Sequence, residues 1–216
     1  MKKCKICDKD TVSIIDPKSK KSYYKCVTCR YIYLDESFYV DDEREKKHYD
    51  KHHNSFESSG YVKMFEDLIE EFVLPYKKSI NTALDFGCGE GEVLPILLER
   101  NDIACDRYDL FYFPKKVYND KEYDLIVSTE VFEHLKDPLL LFEELLLHVK
   151  DKGYLLLMSA FHPDNDEEFF SWWYIRDITH IGFFHLDTFE HIARKLDLKI
   201  IKHNFKNIIL FQKGAV

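Results

Sequence analysis

The stretch LDFGCGEG, residues 84–91, decides the fold of this chain. An apolar run over residues 82–86 predicts a buried strand, and residues 93–100 predict a helix after it. The glycines between the two let the backbone turn sharply and approach a ligand closely. A strand, a glycine loop and a helix in this order indicate a ligand-binding turn of an α/β fold.

The ligand of this loop is predicted from its charges. The G-x-G-x-G spacing differs from the G-x-G-x-x-G of dinucleotide sites, and Glu92 in the first turn of the helix would repel a pyrophosphate. Asp85, at the end of the strand, can accept a hydrogen bond from an ammonium group. The loop therefore favours a zwitterionic amino-acid tail over a dinucleotide, and a purely structural turn stays an alternative.

Apolar patterning predicts the other elements. In chain order they are a helix over residues 61–74 that Pro75 ends, strands over 105–110 and 124–128, a helix over 138–149, a turn at 151–153, a strand over 154–158, a helix over 188–196 and a strand over 207–212. Strands that alternate with helices predict a Rossmann-like α/β fold, with a mostly parallel sheet and helices on both faces.

The N-terminal segment contains two Cys-x2-Cys pairs separated by 18 residues, and their members are Cys4, Cys7, Cys26 and Cys29. This spacing is typical of a zinc site, in which two tight turns each supply two thiolates to a tetrahedral ion. Because four protein ligands close the site, the zinc should be structural. A rubredoxin-like iron site uses the same ligands and remains an alternative.

The 216 residues fit one α/β domain with a small appended module. We predict a zinc ribbon over residues 1–35, a helical linker or cap over the cofactor cleft at 36–79, and the α/β domain over 80–216. Within the second segment, the charged run at 41–51 predicts a solvated helix or arm.

Charge and hydropathy limit the partners and the location. Residues 1–35 carry nine Lys or Arg and four Asp, a net charge of +5, and the chain total of −8 leaves −13 for the rest. An acidic body is poorly suited to a phosphate backbone, so nucleic acid is an unfavoured partner, although the basic segment keeps it open. No apolar run approaches the ~20 residues of a membrane span. We expect a cytoplasmic protein without membrane contact.

The glycine loop resembles motif I of class I S-adenosylmethionine-dependent methyltransferases, in which the loop contacts the methionine part of the cofactor. The resemblance covers about residues 80–200, and some members also carry the cysteine module. It implies cofactor contacts from Asp85, Gly87, Cys88 and Gly89. In the family an acid at the end of the second strand holds the ribose hydroxyls. Asp109 matches that position, with Leu110 beside it, and Asp106 is the competing candidate.

The stretch YDLIVSTEVFEHL, residues 123–135, resembles the fourth strand and following turn of the small-molecule, ubiquinone-methylase-like branch of the family. The resemblance implies that Thr129 and Glu130 line the cofactor and that Glu133 and His134 face the cleft. His134 could instead hold the loop in place. Only 14 residues separate Asp109 from Asp124, too few for the usual helix, third strand and return, so the sheet could be one strand short.

An aromatic segment over residues 161–184 follows the strand that leads into the substrate cleft in this family. There His180 could act as a general base on an acceptor hydroxyl, with Asp177 orienting it, because the pKa of histidine is near neutral. The alternative is that both residues form a structural turn and that the aromatic side chains are core.

The resemblance implies methyl transfer from S-adenosylmethionine to a small-molecule acceptor, at an oxygen, carbon or nitrogen atom that the sequence leaves open. The first alternative is an RNA base methyltransferase that uses the basic zinc ribbon. The second alternative is a non-catalytic zinc-ribbon interaction protein on a cofactor-binding scaffold.

Overall fold

The computed structural model describes residues 2–41, 44 and 56–214. Its strands and helices, in chain order, are β1 (Thr11–Ile15), β2 (Ser22–Cys26), β3 (Ile32–Leu34), α1 (Ser59–Phe72), β4 (Thr82–Phe86), α2 (Val93–Glu99), β5 (Ala104–Tyr108), β6 (Tyr123–Thr129), α3 (Pro138–Leu147), β7 (Val149–Met158), α4 (Asp166–Ser171), β8 (Gly182–Phe183), α5 (Leu186–Lys195), β9 (Leu198–His203) and β10 (Ile208–Lys213). The charged run at 41–51 lies almost entirely outside the described residues.

Six strands form the main sheet in the order β5-β4-β6-β7-β10-β9. The strands from β5 to β7 are parallel to their neighbours, and β10 is antiparallel to both β7 and β9. Residues 110–122, all of which the structure describes, form turns and no strand, so the sheet ends at β5. The predicted Rossmann-like fold is confirmed, and its sheet is one strand short.

Side chains of the central strands alternate between the two faces of the sheet. In β6, Ile126 belongs to one apolar cluster, whereas Leu125 and Val127 belong to the other, as the two-residue repeat of a strand requires. Helices α1 and α2 pack on the Leu125 side, and α3 and α5 pack on the Ile126 side. Among the described residues, no helix combines the length and the apolar character needed to cross a membrane.

Two parts of the sheet differ from the sequence-based expectation. The turn predicted at 151–153 is wrong, because β7 runs through it with an irregular register opposite Tyr123 and Leu125 and with Lys152 at φ 62°. Gly153 permits this bulge, since a Cβ there would lie 2.9 Å from the carbonyl oxygen of Lys150. In addition, β9 forms an edge strand in a segment that the patterning left unassigned.

A second, antiparallel sheet has the order β1-β2-β3-β8 and joins the two ends of the chain. Its last strand, β8, lies near the end of the aromatic segment 161–184. The main-chain N–H of Leu34 donates to the carbonyl oxygen of Ile181 at 2.8 Å. Gly182 is required in β8 because a Cβ there would overlap the buried hydroxyl of Tyr31. The N-terminal sheet therefore contains residues of the C-terminal half.

Candidate functional site

The glycine loop lies between the end of β4 and the start of α2. Gly87 and Gly89 adopt φ values of 78° and 62°, a left-handed region that other residues rarely enter. The main-chain N–H groups of Gly87 and Cys88 donate to the carbonyl oxygen of Tyr108, at 2.8 and 3.2 Å, which holds the loop against the end of β5. A Cβ on Gly87 would overlap Val131, so the loop passes directly beneath the turn that follows β6.

Asp109 follows β5 and faces this loop. Its Oδ2 accepts a hydrogen bond from the main-chain N–H of Gly89 at 3.0 Å, and its Oδ1 accepts from those of Phe111 and Tyr112 at 2.8 and 3.1 Å. Asp106, the competing acid, instead bonds the side chains of Lys121 and Tyr123. The structure thus places Asp109, and not Asp106, beside the glycine loop.

Asp85 is buried at the end of β4, with 3% of its surface exposed. Its Oδ1 has no hydrogen-bond partner among the described residues. Burial raises the pKa of Asp85 to about 7; Arg107 opposes this rise and Asp109 adds to it. A carboxylate in this position gains a missing partner from a cationic group of a ligand, so the site fits an ammonium group.

The remaining predicted cofactor residues lie in different settings. Thr129 ends β6 beside the loop and is half-buried, whereas Leu110 follows Asp109 with 67% of its surface exposed. Glu130 has a left-handed φ of 53°. Its carboxylate contacts Tyr174, so the side chain lies in the polar cluster described next, which differs from the placement that the resemblance implied.

Two glutamates and one phenol form a buried cluster after β6. The hydroxyl of Tyr174 lies 2.6 Å from Oε1 of Glu133 and 3.1 Å from Oε2 of Glu130. A phenol donates only one proton, so the second contact requires a protonated carboxyl group. Burial raises the pKa of both glutamates, and repulsion from Glu133 raises that of Glu130 further. The pair therefore retains a proton near neutral pH.

His134 and His180 lie beside this cluster with their ring centroids 4.8 Å apart. Nδ1 of His134 is 3.1 Å from the carbonyl oxygen of Thr179, and Nδ1 of His180 is 2.9 Å from that of Tyr174. Because a carbonyl oxygen can only accept, each Nδ1 carries a proton. In the neutral ring the lone pair is then on Nε2.

Asp177 differs from its predicted role of orienting His180. Its Oδ1 accepts hydrogen bonds from the main-chain N–H and the hydroxyl of Thr179, at 2.9 and 2.6 Å. Its Oδ2 is 4.0 Å from Nε2 of His180, beyond hydrogen-bond distance. Asp177 therefore forms the turn that positions Thr179, and the carbonyl group of Tyr174 orients His180.

Sequence reasoning expected Glu133 to face the cleft but gave it no role, and it did not select Tyr174 as a site residue. The 3-10 turn Phe132–His134 directs Glu133 inward, and the main-chain N–H of Ile181 donates to its carbonyl oxygen at 2.8 Å. The signal available for Glu133 was its position directly before His134. Tyr174 gave no separate signal, because it belongs to a run of aromatic residues that resembles core.

The structure also brings together Cys4, Cys7, Cys26 and Cys29, whose sulfur atoms all lie within 4.8 Å of one another. Cys4 Sγ is 3.5 Å from Cys29 Sγ, and Cys7 Sγ is 3.4 Å from Cys26 Sγ. Thiolates on a tetrahedral zinc ion lie about 3.8 Å apart, given Zn–S bonds of about 2.3 Å. Main-chain N–H groups point at Sγ of Cys4 and Cys26, which is favourable for thiolates.

Comparison with known proteins gives structural neighbours and a family. The mitomycin 7-O-methyltransferase MmcR superposes with a TM-score of 0.59 at 10% identity, covering 81% of this chain and 59% of its own. The plantazolicin methyltransferase BpumL, in complex with SAH, gives 0.50 at 17% identity and covers 83% and 93%. TnmH gives 0.53 at 11% identity and covers 71% and 55%. No curated protein matches the sequence.

At these identities the neighbours show the fold alone, and two of them are much longer than this chain. The family comes from a separate comparison, in which residues 51–203 match the family model described as a methyltransferase domain. This match includes the glycine loop, Asp109 and the buried polar cluster and covers more than half of the sequence. The chain therefore belongs to the methyltransferase domain family.

Proposed function

We propose that this enzyme transfers the methyl group of S-adenosylmethionine to a small-molecule acceptor. One observation supports S-adenosylmethionine as the cofactor. The buried carboxylate oxygen of Asp85 that lacks a partner lies at the end of β4, shortly before the left-handed glycines of the loop. S-adenosylmethionine has an amino-acid tail with an ammonium group, which supplies the cation that Asp85 lacks.

The cofactor would lie along the carboxyl ends of β4 and β5, where α/β sheets bind ligands. We assign the amino-acid tail to Asp85 and to the main chain of Gly87, Cys88 and Gly89, and the ribose hydroxyls to Asp109. Leu110 and Thr129 would flank the bound cofactor. The cofactor supplies an already activated methyl group. The residues of the chain then align the acceptor with that group and exclude water.

The acceptor would bind next to the buried cluster of Glu130, Glu133 and Tyr174 and the two histidines beside it, His134 and His180. This cluster follows β6, and the contact between Gly87 and Val131 places its turn directly over the glycine loop. His180, or His134 beside it, would serve as a base through Nε2. A small acceptor is supported by the acidic body and by the neighbours, one of which is a 7-O-methyltransferase of mitomycin by its name.

We further propose that Cys4, Cys7, Cys26 and Cys29 hold a structural zinc ion and that residues 1–35 form a zinc ribbon. We also propose that residues 36–79 form a cap over the cofactor cleft of a methyltransferase domain at 80–216. Tyr61 of α1 supports the cap, because burial and then the charge of Asp85 raise the pKa of its phenol. The charge of Asp85 therefore acts on a side chain of the proposed cap.

Calorimetric titration of S-adenosylmethionine into zinc-loaded protein tests the cofactor. We expect micromolar binding that Asp109→Ala abolishes. Asp106→Ala is the matched control, since Asp106 lies three residues earlier and bonds Lys121 and Tyr123. Retained binding in Asp109→Ala would remove Asp109 from the site, and no binding by folded wild-type protein would overturn the proposed cofactor.

A further inference from the structure

Glu133, His134 and His180 bring one carboxylate and two imidazoles to a single point. One potential ligand atom from each lies within 4.8 Å of the other two. Glu133 is fully buried, with 0% of its surface exposed, and its Oε2 has no hydrogen-bond partner in the described part of the chain. A buried carboxylate oxygen of this kind is costly unless a proton or a cation compensates it.

The two histidines present the nitrogen that a metal ion needs. Each bonds a main-chain carbonyl through Nδ1, which places the neutral-ring lone pair on Nε2. Histidine ligands in metalloproteins commonly donate their other N–H to a carbonyl or carboxylate, which fixes the tautomer and the ring orientation. Nε2 of His134 is 4.0 Å from Oε1 of Glu133, so lone pair and carboxylate lie on the same side of the ring.

We propose that Glu133, His134 and His180 bind a divalent transition-metal ion and that this ion binds a hydroxyl group of the methyl acceptor. Two imidazoles and one carboxylate form the donor set of catalytic zinc sites and of iron sites with open coordination positions. Glu130 is not one of these donors. It contacts the hydroxyl of Tyr174, which also bonds Glu133, and so is a carboxylate outside the donor set. The inference rests on the proposed methyl-transfer function and deepens it.

The ion would make the acceptor oxygen a better nucleophile. A metal ion lowers the pKa of a coordinated hydroxyl group. Because Nε2 of both histidines would then be on the ion, the carboxylate of Glu130, and not a histidine, would accept the released proton. An oxygen lone pair then forms the O–CH3 bond while the C–S bond breaks. The electron pair of that bond stays on sulfur, which leaves S-adenosylhomocysteine as a neutral thioether. The acceptor is therefore a hydroxylated small molecule, and the product is its methyl ether.

A titration of Co²⁺ into protein whose cysteine site is already loaded with zinc tests this site. Absorption spectra separate the two locations, because thiolate ligands give an intense sulfur-to-cobalt charge-transfer band that imidazole and carboxylate ligands lack. We expect one additional Co²⁺ per chain without that band. Glu133→Gln and His180→Ala should each weaken its binding by more than about tenfold.

His191→Ala is the matched control. His191 lies on α5 outside the cluster, where its Nδ1 is 3.0 Å from both the carbonyl oxygen of Asp187 and Nη2 of Arg194. Its loss should leave cobalt binding unchanged. Absence of bound Co²⁺ in folded wild-type protein, or Co²⁺ binding retained in both site variants, would overturn the metal site. Circular dichroism confirms that each variant folds, and Glu133→Gln preserves the size of the side chain.

The same samples separate this inference from the proposed function. Binding of S-adenosylmethionine without binding of Co²⁺ would overturn the metal site alone. Binding of Co²⁺ without any S-adenosylmethionine binding would instead overturn the methyl-transfer function and, with it, the role of the ion in binding the acceptor.

Discussion

At the scale of single residues, Gly87 and Gly89 show two different reasons why a position requires glycine. Both have a left-handed φ, but only at Gly87 would a Cβ meet another residue, Val131, whereas nothing lies within 4 Å at Gly89. We expect Gly89→Ala to lower the free energy of unfolding by about 1 kcal/mol, for backbone strain alone. Gly87→Ala should lower it by about 2–4 kcal/mol, because the overlap adds to the strain. Urea denaturation measures both, and equal losses would contradict the assigned overlap.

Asp85 should couple cofactor binding to pH. Burial raises the pKa of Asp85 to about 7 in the free protein, so its carboxyl group is mostly protonated in mildly acidic solution. A bound ammonium group favours the carboxylate and lowers this pKa. Binding then releases a proton below pH 7, and the affinity should rise with pH up to about 7 and level off above it.

Calorimetry in buffers of different ionisation enthalpy measures the released proton directly. Asp85→Asn removes the titrating group, so its weaker binding should be independent of pH between about 5 and 8. A pH dependence that persists in this variant would assign the proton to another group.

At the scale of elements, the cysteine turns contact both ends of segment 162–188, which carries His180. The carbonyl oxygen of Cys29 accepts a hydrogen bond from Thr188 Oγ1 at 2.8 Å, and that hydroxyl also accepts from the main-chain N–H of His185 to begin α5. The carbonyl oxygen of Arg30 lies 2.8 Å from Nε2 of His162. Order in the cysteine turns is thus transmitted to both ends of the segment that carries His180.

Replacement of one proposed zinc ligand, Cys29→Ser, should therefore act at a distance. We expect the free energy of unfolding to fall by several kcal/mol, because binding of a structural zinc ion contributes directly to folding. The amides of Leu34 and Ile181 should exchange faster with solvent, while S-adenosylmethionine binding persists. Hydrogen exchange measures the first effect and calorimetry the second.

Cys105→Ser is the control for this substitution, since Cys105 lies in β5 outside the cluster. Unchanged exchange at Ile181 in zinc-free protein would show that the cysteine turns do not support segment 162–188.

Elements formed by local patterning were predictable, and those formed by distant contacts were not. Strand β4 covers the predicted residues 82–86, because its signal, the apolar Ala83, Leu84 and Phe86, lies within five consecutive residues. Strand β8 has only two residues, and its partner β3 is about 150 positions away. No local signal encodes such a pairing.

The residues of the candidate site also divide into those that local sequence predicts and those that depend on distant contacts. The glycine motif and the acid after β5 are encoded in short sequence, and the structure places Gly87, Gly89 and Asp109 together. Tyr174 reaches Glu133 only because the chain folds back after β7, so its role depends on tertiary structure. Asp177 lay close to His180 in sequence, but local turn geometry directed its carboxylate to Thr179.

At the scale of the whole molecule, the charge distribution favours the proposed small-molecule acceptor over RNA. The N-terminal 35 residues have a net charge of +5, and the remainder has −13. Four thiolates with one Zn²⁺ reduce the positive charge of the first segment further. We expect no RNA binding at about 150 mM salt in an electrophoretic shift assay, since the acidic body repels the phosphate backbone. Tight binding that weakens steeply with salt would favour the RNA base methyltransferase instead.

The two-residue strand β8 has a consequence for how such a protein can change over generations. Recombination that exchanged the first 35 residues for another module would remove β3, the partner of β8, together with Tyr31, whose hydroxyl packs against Gly182. A graft would succeed only if residues near 182 changed with it. The two segments are therefore expected to be inherited together, and a substitution at one should select for compensation at the other.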